Sequence, residues 1–169
     1  MSTIDGREFA RTRAERLGSL ADDDAPRLVE LGWHIERADY TLRGGVDEDG
    51  RDALVVSVDG RLRGVCQRCM EPLELDVRFG RSLRLADSMQ EIETAEDDVD
   101  RVLASRAMSV ETLIEDELVL ELPMVARHTD CEPIESNAVA GSAGARPRGL
   151  VIALQEWTRN RRGNSGKEQ

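Results

Sequence analysis

The chain has 169 residues, with 34 Asp and Glu against 23 Lys and Arg, for a formal net charge of −11. That length suits one domain of ordinary size, and at 40% hydrophobic but 3% aromatic its core must be mostly Leu, Val and Ile. No apolar run reaches the roughly 18 residues of a membrane span, acids stand where a secretory leader would be apolar, and an odd count of three Cys argues against a disulfide scaffold. These features imply a cytoplasmic protein without a membrane partner. The acidic balance argues against a protein whose main task is to coat nucleic-acid backbone.

In chain order, residues 1–30 read as an N-terminal helical segment, with helical propensity over Arg7–Leu20 and a loop at Ala21–Pro26. Its arginines, Arg7, Arg11, Arg13 and Arg16, are spaced to share one helical face, most simply a solvated one. Residues 31–86 change period. Trp33, Ile35, Ala38, Tyr40 and Leu42, then Leu54, Val56 and Val58, then Leu73, Leu75, Val77 and Phe79 alternate with polar residues, as half-buried strands do. Gly44-Gly45 with Asp47–Arg51 reads as a turn or loop, Asp59-Gly60 as a tight hairpin turn and Gly80 as a break, giving an antiparallel meander of about five strands. His34, on a strand, reads as a partly buried structural residue.

Residues 87–100 hold seven acids and no base, the composition of a self-repelling loop or a docking surface. Residues 109–122 read as a helix, capped by Ser109 and stopped by Pro123. At helical spacing Glu117 falls on its apolar side, where a carboxylate needs a cationic partner or a route to solvent. Arg68 is a candidate partner. Residues 132–149 read as a linker, and Leu150–Leu154 with Trp157 as a short apolar helix before Arg159, Arg161 and Arg162. The predicted fold is therefore α+β: an antiparallel sheet, barrel-like if it closes, packed by the 109–122 helix. The core spans 31–131, and 132–169 forms a linker and basic segment.

One cluster carries chemistry. Cys66-Gln-Arg-Cys69 is a C-x-x-C between two strands, and His128-Thr-Asp-Cys131 is an H-x-x-C far downstream. Cys66, Cys69, His128 and Cys131 together make a Cys₃His set, the usual donors for tetrahedral zinc. Two other readings stay open: small buried cysteines without a ligand role, and a thioredoxin-like dithiol, which would need a helix after the second Cys. No phosphate-cradling loop, nucleophile elbow or believable active site is present.

Three stretches in this order resemble the YceD family of large ribosomal RNA subunit accumulation proteins: Val65–Glu74, Leu113–Met124 and Ala126–Cys131. The resemblance covers roughly residues 30–131 and includes the acidic stretch between the first two motifs. It implies a non-enzymatic factor in the synthesis, processing or stability of 23S rRNA, with a large-subunit ribosomal precursor, a basic ribosomal protein and rRNA as expected partners. It carries over Cys66, Arg68, Cys69, Glu115, Asp116, Glu117, Pro123, His128 and Cys131. Position 121, usually small in the family, is Glu121 here. The acidic block with Glu111, Glu115 and Asp116 would form the surface for a basic protein. The alternatives are a zinc-binding adaptor or regulatory domain and, third, a dithiol oxidoreductase.

Overall fold

Three long strands form the body of the fold. They are β3 (His34–Val46), β4 (Asp52–Val65) and β5 (Pro72–Ala86). The computed structural model describes residues 2–95 and 99–133. Short elements surround these strands: β1 (Thr3–Ile4), α1 (Gly6–Arg11), β2 (Glu15–Ser19), a 3-10 turn (Asp22–Asp24), α2 (Pro26–Glu30), α3 (Met89–Glu93), β6 (Arg101–Leu103), β7 (Met108–Ser109) and α4 (Val110–Glu121). The main sheet runs β2-β3-β4-β5-β6, antiparallel except that β6 runs parallel to β5, and β1 pairs with β7 separately. The sheet is open, not a closed barrel. Alternate residues Leu54, Val56, Val58 and Leu62 of β4, with Leu42 of β3 and Leu83 and Leu85 of β5, pack into one core with Leu113, Ile114 and Leu118 of α4.

The α+β class is as expected, as are the turn at Asp47–Arg51 and the placing of Cys66–Cys69 between two strands, while the turns read from glycines are not. Asp59-Gly60 does not turn; it lies within β4, and a Cβ at Gly60 would stand 2.6 Å from the Arg37 carbonyl oxygen. The glycine answers a close approach beside the bulge between Ile35 and Arg37. Gly44-Gly45 likewise continues β3, because α1 crosses there: a Cβ at Gly44 would sit 2.0 Å from the Phe9 carbonyl oxygen. Gly80 does not interrupt β5. The real reversals are two. At the first, Asp47 Oδ1 accepts the amides of Asp49 and Arg51, and Gly50 takes φ +75°. The second is Cys66–Glu71, where Met70 has φ +61°. Residues 31–86 thus make three long strands and not five short ones.

The N-terminal segment is not one helix. Asp5 caps α1, which ends at Arg11, and Glu15–Ser19 pairs with Asp39–Arg43 as a sheet edge. Pairing to β3 overrides helical propensity there. His34 is exposed, with Nδ1 2.8 Å from Asp22. The acidic stretch is not simply a loop: Ser88 caps α3, Glu91 pairs with Arg51 at 2.8 Å, and Asp87 pairs with Arg7. Glu96, Asp97 and Asp98 lie outside the described residues, as do the linker from residue 134 and the Leu150–Trp157 segment.

The helix at 109–122 is present as α4, with Ser109 as its cap. Three of its acids are spent inside the fold. Glu111, though half-buried, accepts the Ser2 amide and hydroxyl at 2.7 Å each. Burial works to raise its pKa, but these bonds and those from its own amide and Ser109 hold it down to about 2. Glu115 is buried and accepts the amides of Arg27 (2.6 Å) and Leu28 (3.2 Å) at the start of α2, plus the Arg27 guanidinium at 2.8–2.9 Å. Asp116 also pairs with Arg27.

Glu117 is buried, as its place on the wheel demands, but its partner is Arg81 of β5 and not Arg68. Arg81 Nε stands 3.2 Å from Glu117 Oε2, without hydrogen-bond alignment, and Arg81 also faces Glu121 and, at 3.8 Å, Asp100. Arg68 points the other way and donates to the Cys131 carbonyl at 2.8 Å. Burial raises the Glu117 pKa; Arg81 opposes this, while Asp100, Asp116 and Glu121 add to it. One guanidinium thus serves three carboxylates. Arg81→Ala should cost about 3 kcal/mol, the low end for stranding a buried charge, because Arg81 is partly exposed. A double-mutant cycle of Arg81→Ala with Glu117→Ala, read by denaturant unfolding, should show clear coupling. The same cycle with Arg68→Ala should show almost none.

Candidate metal centre

The β4–β5 reversal presents two sulfurs on one side. The Cys66 amide bonds the Glu71 carbonyl at 2.9 Å and the Met70 amide bonds the Cys66 carbonyl at 2.8 Å, closing a tight knuckle. After α4, Leu122 leaves the helical conformation and Pro123 prevents its return. The segment then runs back to the knuckle, where the Gln67 amide bonds the Ala126 carbonyl at 2.7 Å. Arg68 fastens the far side through the Cys131 carbonyl. Both halves of the cluster are therefore held by backbone as well as by side chains.

The result is convergence. One ligand atom from each of Cys66, Cys69, His128 and Cys131 lies within 4.8 Å of all the others. Cys66 Sγ and Cys131 Sγ are 3.7 Å apart, and Cys69 Sγ and His128 Nδ1 are 3.4 Å apart. With Zn–S bonds near 2.3 Å, the edge of a tetrahedron is about 3.8 Å, and an S-to-N edge is slightly shorter. Unbridged sulfurs in simple packing need not adopt that spacing. The three cysteines are free thiols.

The surroundings also suit a cation. His128 Nε2 lies 3.1 Å from the Pro72 carbonyl, which can only accept, so Nε2 carries the proton and Nδ1 offers its lone pair to the sulfurs. Burial pushes the Cys66 thiol up, but the amides of Cys69, Arg68 and His128 aimed at its sulfur outweigh this and bring its pKa down to about 5. Burial and the neighbouring sulfurs of Cys66 and Cys69 push Cys131 up. A site that stabilises one thiolate and crowds another has electron density for a metal to absorb. A dithiol oxidoreductase fits less well, because Cys69 is followed by strand β5 and not by a helix.

A sequence model of the YceD family, described as large ribosomal RNA subunit accumulation protein YceD, matches residues 54–147. The chain belongs to this family. The match begins in β4 and takes in the knuckle, β5, α4 and the His128–Cys131 half, so all four donors lie inside the YceD region. No curated protein and no solved structure matches the chain. Among the described residues no helix is long and apolar enough to cross a membrane.

Of the residues singled out in the sequence, the four donors meet, and Arg68 braces them. Glu115, Asp116 and Glu117 do not join this site. They dock α4 against α2 and β5; Glu115 and Glu117 are buried, while Asp116 stays half exposed beside Arg27. The partners Arg27 and Arg81 were missed. Arg81 carried a signal, since it occupies an inward position in the Leu73–Leu85 alternation; Arg27 carried none beyond following Pro26.

In chelator-treated protein, thiolate absorbance should show one thiol ionising near pH 5, and Cys66→Ser should abolish that step. The folded pKa lies below the unfolded value of about 8.5. The stabilisation from Cys66 is therefore complete above that value and is lost as pH falls through about 5. No thiol titrating below pH 8 would contradict the geometry.

Proposed function

We propose that this YceD-family chain is a non-enzymatic, zinc-stapled factor of large-subunit biogenesis. It acts in the cytoplasm to support the synthesis, processing or stability of 23S rRNA. The observation that carries the reading is the family match over residues 54–147, which spans the strands, α4 and the whole donor set. When bound, zinc supplies cross-linking: Cys66 and Cys69 on the knuckle, and His128 and Cys131 beyond α4, would hold it.

The partner in this reading is a basic protein of the large-subunit precursor. Charge supports it. Residues 1–133 hold 31 acids and 17 arginines, a surplus that attracts Arg- and Lys-rich ribosomal proteins and steers their encounter. With Glu115 and Glu117 buried, that surplus resides largely in exposed carboxylates such as Glu30, Glu71, Asp130 and Glu132.

Gradient sedimentation of lysate, with a deletion strain beside it, tests the reading. The chain should travel with precursor large subunits, and 23S rRNA should fall relative to 16S when it is missing. Cys69→Ser or Cys131→Ser should restore 23S rRNA poorly. A chain that stays at the top of the gradient, with 23S rRNA unchanged on deletion, would reject the function.

A further inference from the structure

The arginines of this chain are unevenly matched. From Arg27 to Arg84 every arginine except Arg68 meets a carboxylate within 4.0 Å. Arg11, Arg13, Arg16, Arg106 and Arg127 differ: among the described residues their side chains make neither an ion pair nor a hydrogen bond. An acidic protein in which acids outnumber bases has carboxylates to spare, so guanidinia left without one mark a local positive site.

Two of these, Arg11 and Arg106, line one cleft together with Arg7, Asp5, Ser105 and Asp87. The cleft lies between α1 and the β6–β7 connection, which are joined by the Gly6 amide bonding the Ser105 carbonyl at 3.0 Å. Its volume is about 280 Å³, below the range of typical cofactor or drug pockets but ample for a phosphate group. The opposing charges are partly committed. Asp5 accepts the Glu8 amide at 3.1 Å, and Asp87, exposed at the rim, pairs with Arg7. Arg7 is anchored from below by Asp52 at 3.4 Å and the Leu85 carbonyl at 3.5 Å. One fixed guanidinium and two free exposed ones thus face a small polar cleft.

We propose that this cleft is a phosphodiester-binding site through which the chain touches single-stranded RNA. Arg11 and Arg106 contact phosphate directly, and Arg7 does so when Asp87 yields. Such contacts position a strand and read no sequence. Guanidinium groups suit the task because they offer several donors in a plane that matches phosphate oxygens. The choice of RNA among phosphodiesters rests on the function proposed above, whereas the phosphate chemistry does not.

The test is fluorescence anisotropy of a short single-stranded RNA oligonucleotide against the full chain at low ionic strength. Inorganic phosphate serves as competitor and an oligodeoxynucleotide of the same sequence as a second probe. Arg11→Ala with Arg106→Ala should weaken RNA binding and make the log–log salt dependence shallower by about 1.4, the share of two lost phosphate contacts on a single strand. Both side chains are exposed and unpaired, so the melting temperature should not move. Asp87→Asn should tighten binding by freeing Arg7, a change opposite in sign that a merely structural role would not produce. Competition by inorganic phosphate supports the site. No RNA binding by the intact chain, or unchanged affinity and salt slope in the double variant, overturns it. Arginine-dependent binding to both oligonucleotides, in a chain that fails to travel with precursor subunits, would keep the cleft and reject the ribosomal reading.

Discussion

Burying the carboxylates of α4 is the constraint around which this fold is arranged. Glu115 and Glu117 lie on the same side of the helix as Leu113, Ile114 and Leu118, and an ionised group there is costly unless answered. The answers come from opposite directions. Glu115 receives the first amides of α2 and the Arg27 side chain, which ties the N-terminal region to α4. Glu117 receives Arg81, which ties α4 to β5. Apolar packing alone would leave the helix free to slide by a turn; two charge-specific contacts fix its position and rotation.

That placement bears on the cysteine cluster. The chain leaves α4 at Leu122 and reaches Cys131 in nine residues without further regular structure. A segment so short returns to the β4–β5 knuckle only if the helix ends in the right place. The Gln67–Ala126 backbone bond and the Arg68 side chain on the Cys131 carbonyl then set the register, and sulfur spacing close to a tetrahedral edge follows. A metal there would close the loop from Cys69 to His128, 59 positions apart, whose closure entropy is removed from the unfolded chain. In a chain with only 3% aromatic residues, such a staple would compensate for limited apolar mass.

The donor set was legible because C-x-x-C and H-x-x-C are local patterns with fixed chemistry. Their meeting was not, since it depends on where α4 ends. The α4 limits were legible from Ser109, Pro123 and the apolar spacing, and so was the anomaly at Glu117. Its partner was not legible: Arg68, fixed in the turn between two cysteines, faces Cys131 and not α4, while Arg81 stands in phase with the inward residues of β5, where an apolar side chain is the usual occupant. The Asp47–Arg51 turn was legible, but the strand runs through Gly44 and Gly60 were not, for one physical reason. Gly44 and Gly60 serve close backbone approach inside long strands, and local sequence cannot distinguish that use from a turn. The stretch at Glu15–Ser19 failed because pairing with β3 outweighs its intrinsic helical preference.

Whether Cys66, Cys69, His128 and Cys131 form one zinc centre is decided by zinc-edge X-ray absorption with elemental analysis on protein purified without chelator. The expected result is about one zinc per chain, with three sulfurs near 2.3 Å and one nitrogen near 2.0–2.1 Å. Protein without stoichiometric metal, or zinc with only oxygen and nitrogen in its first shell, would contradict it.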